Sequence, residues 1–399
     1  MSFNYFKYGS YAGSATALRS KKGRFDINMS QVIGDALFTF TTFTFTTPNP
    51  QDPFAPSSAA VEAQTAYTTA SFVGGSYFSV VGGVQYWTVP KDGTYRIEAA
   101  GAMGNHRLGA SYCGKGAKMR GDVPLNKGDV LAIIPGQQNP SHLSGTRNWH
   151  GGAGGSFVAK IASPSSLTPV NSYPLIVAGG GTGSRNGSAT GVLAATGSTS
   201  TNGKNGDGSI GGANGLASPA GGGWSSSRSG GAGGYMTGGI YHADTRQNYI
   251  PSGYPGSGIS DSRPGAGGFE AGGDATNTSG YQAGVRSQGG LMNTLYETSF
   301  RGSGGFGGGG AAAFGGMGGG GGYAGGGQGG NNSSEFGGGG GSFIVSTATN
   351  LATSDGTWTN TSTHTSGPGP THTAAASATG LTNLGTNSAG AGFVIITLL

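Results

Sequence analysis

The chain has 399 residues, of which 87 are glycine, 34% hydrophobic and 9% charged, with a formal net charge of +5. So little charge excludes the usual disordered composition, which joins low hydrophobicity to high charge. So few apolar side chains exclude an ordinary core running through the whole length, and a single cysteine, Cys113, excludes a disulfide framework or a cysteine-built zinc site within one chain.

Residues 1–37 form a basic-aromatic leader. Lys7, Arg19, Lys21, Lys22 and Arg24 precede the first acid, Asp26, and equal the whole net charge; Phe3, Tyr5, Phe6, Tyr8 and Tyr11 are interleaved with them. Such a run is either a solvated leader or an arm that docks on an acidic partner or on nucleic acid. The aromatic residues favour a docking peptide, with Tyr5, Lys7, Arg19, Lys21, Lys22 and Arg24 as its contact residues. No apolar signal segment is visible at the start. No run of about 20 apolar residues exists to span a membrane. A short helix is predicted over residues 26–37.

Phe38, Phe40, Phe43 and Phe45 alternate with threonines as in half-buried strands, with a slip at Thr41 and Thr42 that predicts a bulge or turn. Residues 84–89 predict a strand, Pro90 to Gly93 a turn, and residues 94–100 a second strand with Tyr95, Ile97 and Ala99 on one face. Residues 130–134 are apolar enough for a central strand, and residues 157–159 and 175–178 predict two more. Short strands separated by Gly/Pro turns, with almost no helical period, predict an all-β antiparallel sandwich.

From residue 179 onward glycine dominates. Between Gly302 and Gly341, 24 of 40 residues are glycine. Such sequence is either a flexible low-complexity segment or a backbone lattice. It ends abruptly in the strand-like residues 343–345, and a last strand is predicted over residues 393–399, beyond a Ser/Thr/Asn-rich excursion. Residues 235–300 carry most of the tyrosine, arginine and aspartate of this half. There Tyr241, His242, Asp244, Arg246, Tyr249 and Tyr254 set rigid aromatics beside polar groups, the composition of recognition surfaces. The same tyrosines suit a second role, covering the ends of glycine-rich rods or packing on a neighbouring subunit.

The run Gly83 to Pro90 with Gly93 to Ala99, then Gly128-Asp129-Val130-Leu131, then Pro174 to Gly181, Gly221-Gly222-Gly223-Trp224 and Ser342-Phe343-Ile344 resembles the extracellular glycine-rich domain of anaplastic lymphoma kinase and leukocyte tyrosine kinase. The order holds over about residues 38–399. The resemblance implies a jelly-roll-like sandwich of the tumour-necrosis-factor kind with an inserted bundle of polyglycine II helices. These are three-residue-per-turn rods like polyproline II, joined by hydrogen bonds between backbones. The leader has no counterpart in that family, and the chain is read as an arm at 1–37, the main sandwich at 38–178, the glycine-rich region at 179–342 with loops at 235–300, and closing strands at 343–399. The tips of bacteriophage tail fibres use similar bundles, with variable loops at the rod ends touching the host receptor. The chain departs from the receptor kinases in lacking a kinase domain and a membrane span.

Other motifs read as incidental. Gly302 to Gly307 satisfies GxGxxG, yet poly-glycine follows where a dinucleotide site needs a helix. Asp207 and Asp274 are isolated turn aspartates rather than a calcium repeat. His364 and His372 have no carboxylate near in sequence, so no metal site is assigned to them. No nucleophile elbow and no convincing histidine–carboxylate pair is present. The expectation is a non-enzymatic virion structural protein without cofactor: a phage tail fibre, appendage or receptor-binding tip. Its leader would grip other virion proteins, its loops a host surface receptor or glycan, and it would form a homo-oligomer, with a trimer as the guess. The alternatives are a capsid decoration or collar protein and a non-viral cell-surface adhesion module. Neither nucleic-acid binding nor membrane insertion is expected.

Overall fold

Tyr95, Ile97 and Ala99 point one way from their strand and are fully buried, and the same period of two runs through the other strands. The computed structural model describes residues 36–48, 51–52, 54–104, 113–140, 150–161, 172–182, 195–206, 211–213, 232–235, 303–312, 317–329, 336–354 and 390–399. In them eleven strands lie in two antiparallel sheets. The strands are β1 (Thr42–Phe45), β2 (Phe78–Val81), β3 (Val84–Thr88), β4 (Gly93–Ala100), β5 (Lys118–Leu125), β6 (Val130–Ile134), β7 (Ser156–Ile161), β8 (Ser172–Ala178), β9 (Phe343–Ile344), β10 (Thr349–Ser354) and β11 (Phe393–Leu398). One sheet has the order β1-β11-β4-β5-β10 and the other β2-β3-β6-β7-β8-β9. Two short helices, α1 (Ser58–Glu62) and α2 (Thr65–Thr68), lie between β1 and β2 in the chain. The all-β sandwich is therefore observed.

The core between the sheets is aromatic at the β1–β2–β3 side. Phe38, Phe40, Phe45 and Phe72 surround Trp87 at ring-centroid distances of 4.8 to 6.4 Å. Phe40 and Phe38 enter this cluster without belonging to a strand; the predicted slip at Thr41 is where β1 begins. The Tyr67 hydroxyl on α2 donates to Gln85 Oε1 at 2.6 Å, and Gln85 Nε2 donates to Thr46 O at 2.8 Å, so the helix is pinned by a buried polar chain as well as by packing. Burial pushes the Tyr67 phenol above its ordinary range.

A second apolar layer covers the outer face of the six-stranded sheet. Tyr86, Val130, Ile134, Phe157 and Val177 there meet Tyr235 and Phe306, which come from the glycine-rich half. Tyr235, Tyr323 and Phe343 form a row, with the Tyr323–Phe343 rings stacked 4.6 Å apart. These aromatics fasten the glycine-rich part to the sandwich.

That part is a lattice. The N–H of Gly101 donates to Ala117 O, and that of Gly104 to Gly114 O. Gly152 donates to Gly310 and Gly155 to Gly307; Gly318 donates to His150 and Gly321 to Ala153; Gly338 donates to Gly327 and Gly341 to Ala324. In every pair both residues shift by three, in opposite directions for three pairs and in the same direction for Gly318 and Gly321, so rods run both antiparallel and parallel with the repeat of a polyproline II-type helix. Successive residues of one rod fan out: Gly180 donates to Gly321, Gly181 to Ala102 and Thr182 to Ala195. Neighbouring rods satisfy one another's backbone, which sheet and α-helix do elsewhere.

The lattice is not drawn from residues 179–342 alone. Residues 101–104, 113–117, 136–139 and 150–155 also contribute rods, each a direct continuation of β4, β5, β6 or β7. The insertion is thus threaded through the sandwich connections. The helix predicted over 26–37 lies almost wholly outside the described residues.

Candidate functional site

The rods at residues 101–104, 113–117, 136–139, 150–155, 179–182 and 337–342 each adjoin a strand end, and those ends share one side of the sandwich. β4, β6 and β8 finish there, while β5, β7, β9 and β11 start there. Antiparallel pairing makes this unavoidable, because a connection between neighbouring antiparallel strands begins and ends at the same level. The rods run on from that level to an apical face. Gly104 bonds Gly114, Gly114 bonds Thr182, and Thr182 bonds Ala195 through the backbone, while the Thr182 hydroxyl donates to Gly318 O at 2.6 Å. Gly318 bonds His150, and Gly329 bonds Met317. An added Cβ on Gly206 would collide with Gln328 O, and one on Gly329 would crowd Met317 and Phe336.

These contacts gather Gly104, Gly114, His150, Thr182, Ala195, Met317, Gly318 and Gly329, which are far apart in sequence, at one face. The gathered residues are mostly buried: His150, Thr182, Gln328 and Ser303 are each at 1% exposure or less. Behind them Lys204 Nζ donates to Thr196 Oγ1. Burial pulls the Lys115 ammonium below its ordinary range, with Cys113 opposing weakly.

Many glycine positions of the lattice beneath this face admit no side chain. A Cβ on Gly152, Gly154, Gly326, Gly338 or Gly339 would lie under 3.0 Å from the backbone oxygen of a neighbouring rod. Where the chain reverses, Gly307 and Gly308 take φ of +103° and +88°, which suits glycine and strains other residues. Alanines such as Ala102, Ala153 and Ala324 occupy the positions where a methyl fits.

The opposite pole is built from turns. The Leu37 N–H donates to Pro90 O and the Leu399 N–H to Thr94 O, so the described chain both enters and ends beside the β3–β4 turn. Lys127 N–H donates to Asp92 Oδ1 at 2.7 Å, joining this turn to the β5–β6 turn, which Asn126 N–H closes on Asp129 Oδ2 at 2.9 Å. Lys160 Nζ lies 2.9 Å from Asp129 Oδ1.

A charged row crosses the outer face of the five-stranded sheet. Arg96 faces Asp122 and Glu98 faces Arg120 across β4 and β5, with Lys118 opposite Ala100. Arg96 grips Asp122 through two bonds of 2.8 and 2.9 Å, and Asn350 Nδ2 adds a third at 3.0 Å. The Arg96 hydrogen bonds hold the Asp122 carboxyl below its usual range. Burial lowers Lys118 to about 8, with Glu98 pulling the other way. No sequence expectation named this row, although Arg96 and Glu98, and Lys118, Arg120 and Asp122, already alternate with period two.

The expected recognition residues Tyr241, His242, Asp244, Arg246, Tyr249 and Tyr254 lie outside the described residues, as do the arm residues Tyr5, Lys7, Arg19, Lys21, Lys22 and Arg24 and the pair His364 and His372. Their flanks are described: Tyr235 sits on the sheet face and Ser303 at the apical end of a rod. Among the described residues no group of three or more His, Cys, Asp or Glu could hold a metal ion, and no helix is long and apolar enough to cross a membrane. No protein-family model matches the chain, and no curated protein matches it.

Proposed function

We propose that the protein is a non-enzymatic structural and recognition module of a virus particle. In this reading it is a phage tail fibre, appendage or receptor-binding tip. One observation carries the reading. The molecule has two poles: the segment that follows the basic-aromatic arm joins the body at the turn pole, and rods from distant parts of the sequence converge at the far end of a glycine lattice.

This is the layout of a presenter. A lattice whose positions exclude even a methyl group tolerates little change, so the freedom to vary lies at the rod ends. Loops on a rigid scaffold are where binding residues collect. The arm holds other virion proteins, and residues 235–300 meet a host surface receptor or glycan. The protein acts on the virion and uses neither a cofactor nor a membrane anchor.

The test is immunogold labelling of intact particles with copies counted. A few copies at fibre or tail tips support host recognition. Hundreds of copies over the shell make the protein decoration. Absence from every particle overturns the viral reading and leaves an adhesion module.

A further inference from the structure

We infer that β10 is a latch. It opens by itself while the rest of the sandwich stays folded, it is held shut by a clasp between Asn350 and Asp122, and its opening bares the backbone edge of β5. The inference stands apart from the particle reading above.

Burial does not hold β10 in place. None of its six residues is buried. Its one large apolar side chain, Leu351, is 57% exposed. Its tip lies over Gly121, where a Cβ would sit 3.4 Å from Leu351 Cδ2, so the leucine finds no side chain there to pack on. The ladder to β5 is broken as well. Thr349 pairs with Asp122, and Ala352, Thr353 and Ser354 pair with Arg120, Met119 and Lys118, while Asn350 and Leu351 fall in the shift of register between them. Asn350 takes φ +51°, the left-handed region, and is the only non-glycine residue to do so among the described residues.

The strained residue is also the one that clasps. Asn350 Nδ2 donates to Asp122 Oδ2 at 3.0 Å, and among the described residues no other side chain of β10 makes a hydrogen bond. Asp122 is a firm anchor, because Arg96 on β4 holds it through two bonds of 2.8 and 2.9 Å. On the other side β5 pairs with β4 along all eight of its residues, and seven of the eight are buried. Detaching β10 breaks one bond to a carboxylate and a short, interrupted ladder, whereas detaching β5 from β4 opens the core. Such a difference is what separates a local opening from global unfolding. With β10 away, the sheet ends in a long, regular strand in place of a short, bulged one.

The experiment is hydrogen exchange of the full chain, read by mass spectrometry on peptides covering residues 345–354, 118–125 and 93–100, with and without a low concentration of urea. The expected result is that amides of β10 exchange about a hundredfold faster than those of β4, at a rate that urea hardly changes, because local opening exposes little surface. Within residues 118–125 the amides that face β10 follow it, and those that face β4 stay protected. Asn350→Ala speeds exchange in β10 about tenfold and leaves β4 unchanged. Asn350→Gly loses the same bond but relieves the backbone, and speeds it less. Exchange of β10 and β4 together, with the same dependence on urea, overturns the latch. Wild-type exchange of β10 in Asn350→Ala overturns the clasp. Full protection across residues 118–125 while β10 exchanges overturns the baring of β5.

Discussion

Gly152 shows what a single residue decides here. A Cβ at this position would sit inside the contact radius of Gly319 O, a backbone atom of a rod that is itself bonded on several sides and has nowhere to go. Gly152→Ala is expected to destabilise by about 3 kcal/mol or more, at the upper end of overpacking costs. Gly75→Ala meets only Tyr77 at 3.9 Å, has ordinary backbone angles, and is expected to stay within about 0.5 kcal/mol. Thermal unfolding of the two variants side by side checks the contrast. Lys118 makes a second prediction at this scale. Its folded pKa of about 8 lies below the unfolded value of 10.5, so between those values the unfolded chain binds a proton that the folded chain does not. Its contribution therefore rises as pH climbs from 8 to 10.5 and is flat below 8, on the order of 3 kcal/mol in total. Lys118→Met is expected to flatten that rise in denaturation midpoints measured between pH 7.5 and 10.

The rod is the element that distinguishes this molecule, and its phase is its specification. Because partners recur every three residues, inserting one glycine beside Gly338 turns every later N–H about a third of a turn away from its acceptor. Inserting three restores the phase and only lengthens the rod. The triple insertion is expected to melt within a few degrees of wild type and the single insertion well below it, although the single insertion changes less sequence. Strands were legible where composition spoke for them: β3, β4, β6, β7, β8 and β11 fall where apolar or alternating runs predict them. β5 was hidden by Lys118, Arg120, Gly121 and Pro124, because its outward face is charged and its proline occupies an exposed position. β10 was hidden because Thr349–Ser354 is polar and mostly exposed, an edge strand held by pairing with β5 rather than by burial. The short helices α1 and α2 were missed because four or five residues carry too little period to read.

At the scale of the whole molecule, the sheets offer little to a second copy. β1 and β2 have four residues each and β9 has two, while β10 is interrupted between Thr349 and Ala352 with Asn350 at φ +51°. Short, bulged edges are how proteins avoid edge-to-edge pairing. Leu351→Lys on β10 is expected to leave the molar mass in light scattering unchanged, whatever the assembly state, because association has to use another surface. The all-β class and the need for either a lattice or disorder were readable from glycine content, turn residues and alternating strands, since these are local properties of backbone freedom and side-chain period. The recognition residues proposed from sequence were chosen by composition and fall outside the described residues. What only the tertiary structure decided is the molecule's polarity. Which rods touch, which glycines tolerate no methyl, and which chain segments share a face depend on neighbours far apart in sequence. Antiparallel pairing puts the strand-linked rods at one end of the sandwich, inter-rod bonds bring the others to them, and the segment that follows the arm enters at the opposite end; no local pattern records that distance.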